Sequence, residues 1–247
     1  MNKKTVKQFS RFLEREMFVN VYGEKGKPCI VFPAQNGRYY DFENFEMVDA
    51  ASKYIEEGRL QLFCVDSIDL ESWSFEDGDP RTRMMMHEKW FNYIIEEVVP
   101  YIQQENNQAI NGIMTTGCSM GASHAANFFF RRPDIFDCVI ALSGYYCSDM
   151  FFHDYMDDLV YLNSPVHYLD GMAYDHPYVQ LYRQHKIVLC TGQGAWEDEM
   201  IASTSRMKEL LAYKDVPCWI DFWGYDVNHD WPWWRKQFPY FLEHLLD

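Results

Sequence analysis

Gly117-Cys118-Ser119-Met120-Gly121 lies between two stretches, residues 110–116 and residues 122–130. The first predicts a short buried strand and the second predicts a helix. A G-x-S-x-G segment between a strand and a helix is typical of a strained turn that exposes a serine hydroxyl. Ser119 is therefore a candidate nucleophile, and Gly117 and Gly121 allow neighbouring backbone to approach the turn. The main-chain N–H of Met120 is a candidate oxyanion donor.

The residues that follow continue this pattern. Arg132-Pro-Asp-Ile-Phe-Asp137 leads into a second predicted strand, residues 138–143, which Gly144 closes. This order, with Ser-Met-Gly, then Pro-Asp-x-Phe, then Ala-Leu-Ser-Gly, resembles the α/β-hydrolase fold. Within that fold it is similar to the putative esterase family, which includes esterase D and the mycolyltransferases. The resemblance implies a mostly parallel central sheet with helices on both faces, and a serine esterase that forms an acyl-enzyme.

The apolar pattern predicts the other elements of an α/β chain. Further strands are expected at residues 17–22, 28–32, 59–65, 185–191 and 216–223. Helices are expected at residues 41–54, 82–101, 200–213 and 231–246. Residues 145–185 hold no clear strand, and so long a connection is typical of a lid or a binding loop. We expect one domain over residues 1–247, with residues 145–185 as a lid or cap-like insertion that selects the substrate.

Four local features carry expectations of their own. Residues 1–16 are polar and compatible with a helix, and residues 23–26 are typical of a hairpin-type turn. Met85 and Met86 follow the apolar spacing of the predicted helix 82–101 and are expected in the core. His87 stands among charged neighbours, so we expect it to face solvent.

The resemblance implies a catalytic triad in the chain order serine, acid, histidine, with each residue on a loop that follows a strand. His229 follows the last predicted strand and is the expected general base. Glu197 and Asp198 both lie on the loop after strand 185–191. The family places its acid a few residues past a Gly-x-Gly, which favours Glu197 and leaves Asp198 as the runner-up. Asp226 is less favoured because it shares a loop with His229.

The second oxyanion amide is implied to come from the loop after strand 28–32. Gln35, Asn36 and Gly37 are all open as its source. His124 follows Ser119 by five residues, and this closeness in sequence makes it the alternative to His229 as the general base. We expect His124 instead to be hydrogen-bonded in the packing.

Composition excludes several classes of partner. A net charge of −15, from 37 acidic and 22 basic residues, argues against binding to nucleic acid or an anionic membrane. No apolar span approaches transmembrane length and no secretory leader is recognised, so we expect a cytoplasmic protein. The seven cysteines are isolated in the sequence, which predicts reduced, mostly buried thiols. His153 and His176 have acidic neighbours, but their spacing fits no metal-binding motif. No cofactor and no metal are expected.

These observations favour a serine carboxylic-ester hydrolase that acts on a small-molecule ester. Two alternatives stay open. One is an acyltransferase that passes the same acyl-enzyme to an alcohol, and the other is a hydrolase-fold protein that binds a ligand without turnover. The identity of the ester is not predicted. The oligomeric state stays open, and a homo-oligomer is one possibility.

Overall fold

Eight strands form one sheet in the computed structural model, which describes residues 1–246 apart from the side chain of Ile110. The strands are β1 (Lys3–Ser10), β2 (Arg15–Tyr22), β3 (Lys27–Phe32), β4 (Leu60–Val65), β5 (Ile113–Cys118), β6 (Phe136–Leu142), β7 (Lys186–Thr191) and β8 (Trp219–Phe222). Their order across the sheet is β1-β2-β4-β3-β5-β6-β7-β8. The pairs β1/β2 and β2/β4 are antiparallel, and every pair from β4 onward is parallel. The predicted mostly parallel sheet is confirmed.

Helices cover both faces of this sheet. They are α1 (Asp41–Asn44), α2 (Met47–Ala50), α3 (Ser52–Glu56), α4 (Pro80–Tyr93), α5 (Val99–Glu105), α6 (Met120–Arg131), α7 (Asp149–Phe152), α8 (Asp158–Leu162), α9 (Pro165–Gly171), α10 (Pro177–Tyr182), α11 (Asp198–Tyr213) and α12 (Trp231–Leu245). Because side chains alternate along a strand, Ile30 and Phe32 of β3 pack on the face with α4, α6 and α11. Cys29 and Val31 pack on the opposite face with α2 and α12. The strand is buried on both sides, which explains its continuous apolar sequence.

The N-terminal region differs from the prediction. Residues 1–16 contain β1 and the start of β2, which pair as an antiparallel hairpin, and not a helix. β1 lies at the edge of the sheet, where its lysines are exposed, as is usual for an edge strand. The turn at residues 23–26 is not a hairpin between paired strands, because β4 lies between β2 and β3.

Two predicted helices are interrupted. Residues 41–54 are divided among α1, α2 and α3, and Glu46, between α1 and α2, has a left-handed backbone with φ of 61°. The predicted helix 82–101 is α4, a π-helical turn at Ile94–Val98, and α5. Pro100 in the first turn of α5 lacks an N–H, so the regular hydrogen-bond ladder cannot continue through it.

Residues 145–185 contain α7, α8, α9 and α10 between β6 and β7. Their role as a lid stays a prediction, as does the single domain over residues 1–247, of which Asp247 lies outside the described residues. Within residues 1–246, no helix has both the length and the apolar character needed to cross a membrane.

Two side chains of α4 lie where the sequence did not predict them. Met85 is 53% exposed, so its expected place in the core is wrong. His87, expected to face solvent, is fully buried, and its Nδ1 accepts a hydrogen bond of 3.0 Å from Trp73 Nε1. The helical spacing explains this burial, since His87 follows Met84 by three residues and precedes Phe91 by four, and both are buried.

The burial of His87 predicts a pH dependence of stability. Burial lowers the pKa of His87 well below its ordinary value, and electrostatic interaction with His124 and Arg131 lowers that pKa further, against a smaller opposing effect of Asn163. His87 is therefore neutral in the fold, whereas the unfolded chain takes up a proton below about pH 6.5. The free energy of unfolding should consequently fall with decreasing pH, by up to about 1.4 kcal/mol per pH unit for this one proton.

Urea unfolding of the wild type and of His87→Gln between about pH 7.5 and 5.5 measures this contribution. The expected result is a shallower loss of stability in His87→Gln, because glutamine has no proton to gain on unfolding. Equal slopes in the two proteins would contradict the prediction.

Candidate active site

Ser119 occupies a strained turn between β5 and α6. Its φ of 57° and ψ of −126° lie in a region that residues with a side chain rarely adopt. A side chain at Gly121 would clash with the carbonyl oxygens of Phe32 and Pro33, and one at Gly117 would clash with the backbone of Gly121. The two glycines therefore let the turn pack directly against the end of β3. The strand before the turn begins at Ile113, later than predicted, and extends through Cys118.

His229 contacts Ser119 directly. Its Nε2 lies 2.8 Å from Ser119 Oγ, a normal hydrogen-bond distance. The imidazole packs edge-to-face on Trp234, with the ring centroids 5.0 Å apart. The main-chain N–H of His229 donates to the carbonyl oxygen of Ala195 at 3.0 Å. The imidazole is therefore held by its backbone and by its ring while Nε2 faces the serine.

The predicted acid, Glu197, lies on the other side of this imidazole. Its Oε2 is 3.4 Å from His229 Nδ1, and the side chain is fully buried. Three further donors reach the carboxylate: Ser143 Oγ at 2.6 Å, Thr191 Oγ1 at 2.7 Å and the main-chain N–H of Gly192 at 3.3 Å. Such contacts offset the cost of burying a carboxylate.

The other acids of this region lie elsewhere. Asp198 is exposed at the first position of α11, and Asp226 is exposed on the loop of His229. Within residues 1–246, neither makes an ion pair with His229. The geometry thus favours Glu197 over the runner-up.

Backbone contacts tie the loop of Glu197 to the loop of His229. The N–H of Gly194 donates to the carbonyl oxygen of Val227 at 2.8 Å. The N–H of Ala195 donates to Asn228 Oδ1 at 2.9 Å. A side chain at Gly192 would clash with Val227, so this glycine is required for the close approach. The distance between acid and base is consequently set by two loops that pack as one unit.

The three positions that the sequence left open in the loop after β3 differ in whether their main-chain N–H is already hydrogen-bonded. The Gly37 N–H donates to the Ala34 carbonyl oxygen at 2.8 Å, and the Asn36 N–H donates to Asp69 Oδ2 at 3.3 Å. Within residues 1–246, the main-chain N–H groups of Gln35 and Met120 make no hydrogen bond. Of the three open positions, Gln35 is therefore the candidate for the second oxyanion donor, beside Met120.

His124 is buried and its Nε2 lies 3.0 Å from Asp69 Oδ1, so its predicted role in the packing is confirmed.

The contacts of Asp69, Ser143 and Thr191 could not be predicted from the sequence. Each is a polar residue at the end of a strand or soon after it, but so are many others, and only the folded chain brings these three to the site. Among the described residues, no group of three or more His, Cys, Asp or Glu side chains is placed to hold a metal ion.

This chain matches the model of one protein family and resembles several solved structures. Residues 10–245 match the model of a family described as "Putative esterase". A search of curated protein sequences gave no match.

Solved structures similar to this chain include a ferulic acid esterase, with 18% identity over 98% of this chain and 96% of that chain and a TM-score of 0.75. An S-formylglutathione hydrolase from Staphylococcus aureus has 13% identity over 100% of this chain and 99% of that chain, with a TM-score of 0.74. One from Agrobacterium tumefaciens has 15% identity over 99% of this chain and 94% of that chain, with a TM-score of 0.75. At these identities the likeness shows the fold alone.

Proposed function

Since this chain belongs to the putative esterase family and is an esterase, we propose that it hydrolyses carboxylic esters through an acyl-enzyme on Ser119. His229 is the general base, and Glu197 orients its imidazole. The observation that supports this proposal most strongly is the 2.8 Å contact between His229 Nε2 and Ser119 Oγ. Nucleophile, base and orienting acid follow one another within hydrogen-bond or ion-pair reach, as covalent catalysis requires.

The first half of the reaction forms the acyl-enzyme. Ser119 Oγ attacks the ester carbonyl carbon while His229 Nε2 accepts the hydroxyl proton. The carbonyl electron pair moves to oxygen, and the N–H groups of Met120 and Gln35 donate to the oxyanion. Glu197 accepts from His229 Nδ1–H and stabilises the imidazolium. The oxyanion then collapses, the bond to the alcohol oxygen breaks, and His229 returns its proton to that alcohol.

The second half consumes water. His229 removes a proton from a water molecule, whose oxygen attacks the acyl carbon. Collapse of the second oxyanion breaks the bond to Ser119 Oγ, which takes back the proton from His229. The acid product leaves and the free serine is restored.

The substrate is proposed to be a small-molecule ester. Two structural neighbours are named for activity on ferulic acid esters and on S-formylglutathione, so a screen should contain a feruloyl ester, S-formylglutathione and short-chain p-nitrophenyl esters. The overall acidity of the chain disfavours anionic substrates. Arg38 does not offset this charge, because it forms a two-point ion pair with the buried carboxylate of Asp66.

Rapid acid quench of a turning-over reaction tests the proposal. The expected result is a mass increase equal to the acyl group, located on Ser119. Added alcohols test the transferase alternative, since an acyltransferase yields the new ester in preference to the acid. Absence of turnover across the whole screen would favour the alternative of a protein that binds a ligand without turnover.

We further propose, from the composition alone, that the protein is cytoplasmic and has no nucleic-acid partner.

Gln35→Pro tests the second oxyanion donor. Proline has no N–H, so kcat should fall by about 10²–10³-fold while the triad stays intact. Gln35→Ala keeps the main-chain N–H and should show a much smaller loss. Steady-state kinetics on one ester, with circular dichroism to verify folding, makes the comparison. An unchanged kcat in folded Gln35→Pro would contradict the assignment of the second donor to the Gln35 N–H.

A further inference from the structure

Residues 67–74, which we call the bracket segment, contact every residue of the turn that carries the Gln35 amide. Asp69 Oδ2 accepts from the Asn36 N–H at 3.3 Å. Ser67 Oγ donates to the carbonyl oxygen of Gly37 at 3.0 Å. Gln35 Nε2 donates to Ser74 Oγ at 3.1 Å. The turn at residues 35–37 therefore takes its position from the bracket segment as well as from β3.

The bracket segment is fixed in turn to the helix of the nucleophile. His124 lies on α6, five residues after Ser119, and its Nε2 is 3.0 Å from Asp69 Oδ1. Asp69 is 1% exposed and His124 is 2% exposed, so no solvent competes for this contact. Arg83 supports the same segment by donating to the carbonyl oxygens of Ser72 at 2.9 Å and Trp73 at 2.6 Å.

One carboxylate thus joins the two halves of the oxyanion site. Asp69 Oδ1 meets the helix that begins with Met120, and Asp69 Oδ2 meets the turn that carries Gln35. Gly121 also packs against Phe32 and Pro33, but this contact lies before the turn and leaves residues 35–37 to be placed by their own contacts. A buried carboxylate needs its donors, which makes the contact to His124 and the contact to Asn36 mutually dependent.

We propose that Asp69 and His124 are positioning residues that set the distance between Ser119 and the Gln35 amide, and thereby the rate of ester cleavage. This inference rests on the proposed function. Neither side chain touches the reacting atoms. They act through the backbone of the turn, so their loss should weaken the binding of an oxyanion and leave the binding of the ground-state ester little changed.

Pairs of variants test the proposal, and each pair has a conservative and a disruptive member. His124→Gln keeps an N–H donor for Asp69, whereas His124→Leu removes it. Asp69→Asn keeps an acceptor for the Asn36 N–H, whereas Asp69→Leu removes it. Asn127→Leu is the matched control, because Asn127 is a buried polar residue of α6 whose hydrogen bonds join Asn163 and Tyr168 and not the bracket segment.

A loss of kcat of about 10- to 100-fold is expected for the two leucine variants at positions 69 and 124, since misplacing one donor forfeits part of its effect. KM should change little. The inhibition constant of a trifluoromethyl ketone, which forms an oxyanion on the serine, should rise by the same factor as kcat falls. The conservative variants should keep most of the activity. Asn127→Leu should lose stability but keep kcat.

Three outcomes would overturn the proposal: equal kcat losses in Asn127→Leu and His124→Leu, a change confined to KM, or ketone binding that does not follow kcat. If the leucine variants fail to fold, His124→Ala and Asp69→Ala replace them, because they remove the same two contacts with a smaller side chain, and wild-type kcat and ketone binding in both would overturn the proposal. Wild-type activity without positioning effects would refute this inference alone. An inactive wild type would instead refute the proposed function.

Discussion

Ser119→Ala is expected to lower kcat for ester hydrolysis by a factor on the order of 10⁶. Without Oγ no acyl-enzyme can form, and only the oxyanion donors and substrate binding remain. The small alanine side chain fits the turn, so the fold should survive. Steady-state kinetics at saturating ester, with an active-site titration of the wild type, gives the ratio of kcat values.

Ser123→Ala is the matched control for this experiment. Ser123 lies one helical turn further along α6, where its Oγ accepts from the Tyr145 N–H at 2.9 Å. Loss of that hydrogen bond should cost about 1 kcal/mol of stability and leave catalysis largely intact. A Ser119→Ala protein that retains more than about a hundredth of wild-type kcat would contradict the assignment of the nucleophile.

Glu197→Gln is expected to lower kcat by about 10³–10⁴-fold. Glutamine has nearly the same size as glutamate, but its NH₂ group cannot accept a hydrogen bond. Ser143, Thr191 and His229, which surround the carboxylate, would therefore lose an acceptor. The imidazole then loses both its orientation and the negative charge that stabilises its protonated form. The kcat of purified Glu197→Gln, measured on the same ester, tests this expectation.

Asp198→Asn separates the two acids that the sequence left open. Asp198 is exposed at the start of α11, so its amide variant should keep kcat within a small factor of the wild type. The opposite order, with the larger loss in Asp198→Asn, would reassign the acid. Comparable large losses in both variants would point to a general effect on the loop.

The elbow and its two glycines could be predicted because their signal is local. Five consecutive residues between a strand and a helix specify a backbone conformation, and Ser119 adopts it with φ of 57°. His229 could be proposed because the carboxyl ends of parallel strands meet at one edge of a sheet. The choice of Glu197 came from the resemblance to the putative esterase family, which places its acid a few residues past a Gly-x-Gly.

Other features depend on packing between distant segments, and the sequence could not predict them. The burial of His87 is an exception, because its helical spacing to Met84 and Phe91 already indicated the buried face of α4. Asp69 follows a strand like many loop acids, yet it meets Asn36 and His124, which are far away along the chain. The hairpin of β1 and β2 was missed because an edge strand exposed on both faces has little apolar alternation.

Covalent labelling with a fluorophosphonate tests the central claim, that Ser119 is a nucleophile activated by His229, most directly. Intact-protein mass spectrometry would compare the wild type with Ser119→Ala and His229→Ala. We predict one phosphonyl adduct per wild-type chain, located on Ser119 by peptide mapping, none on Ser119→Ala, and strongly slowed labelling of His229→Ala. An unlabelled wild type under conditions that label a control esterase, or an adduct on another residue, would contradict the account.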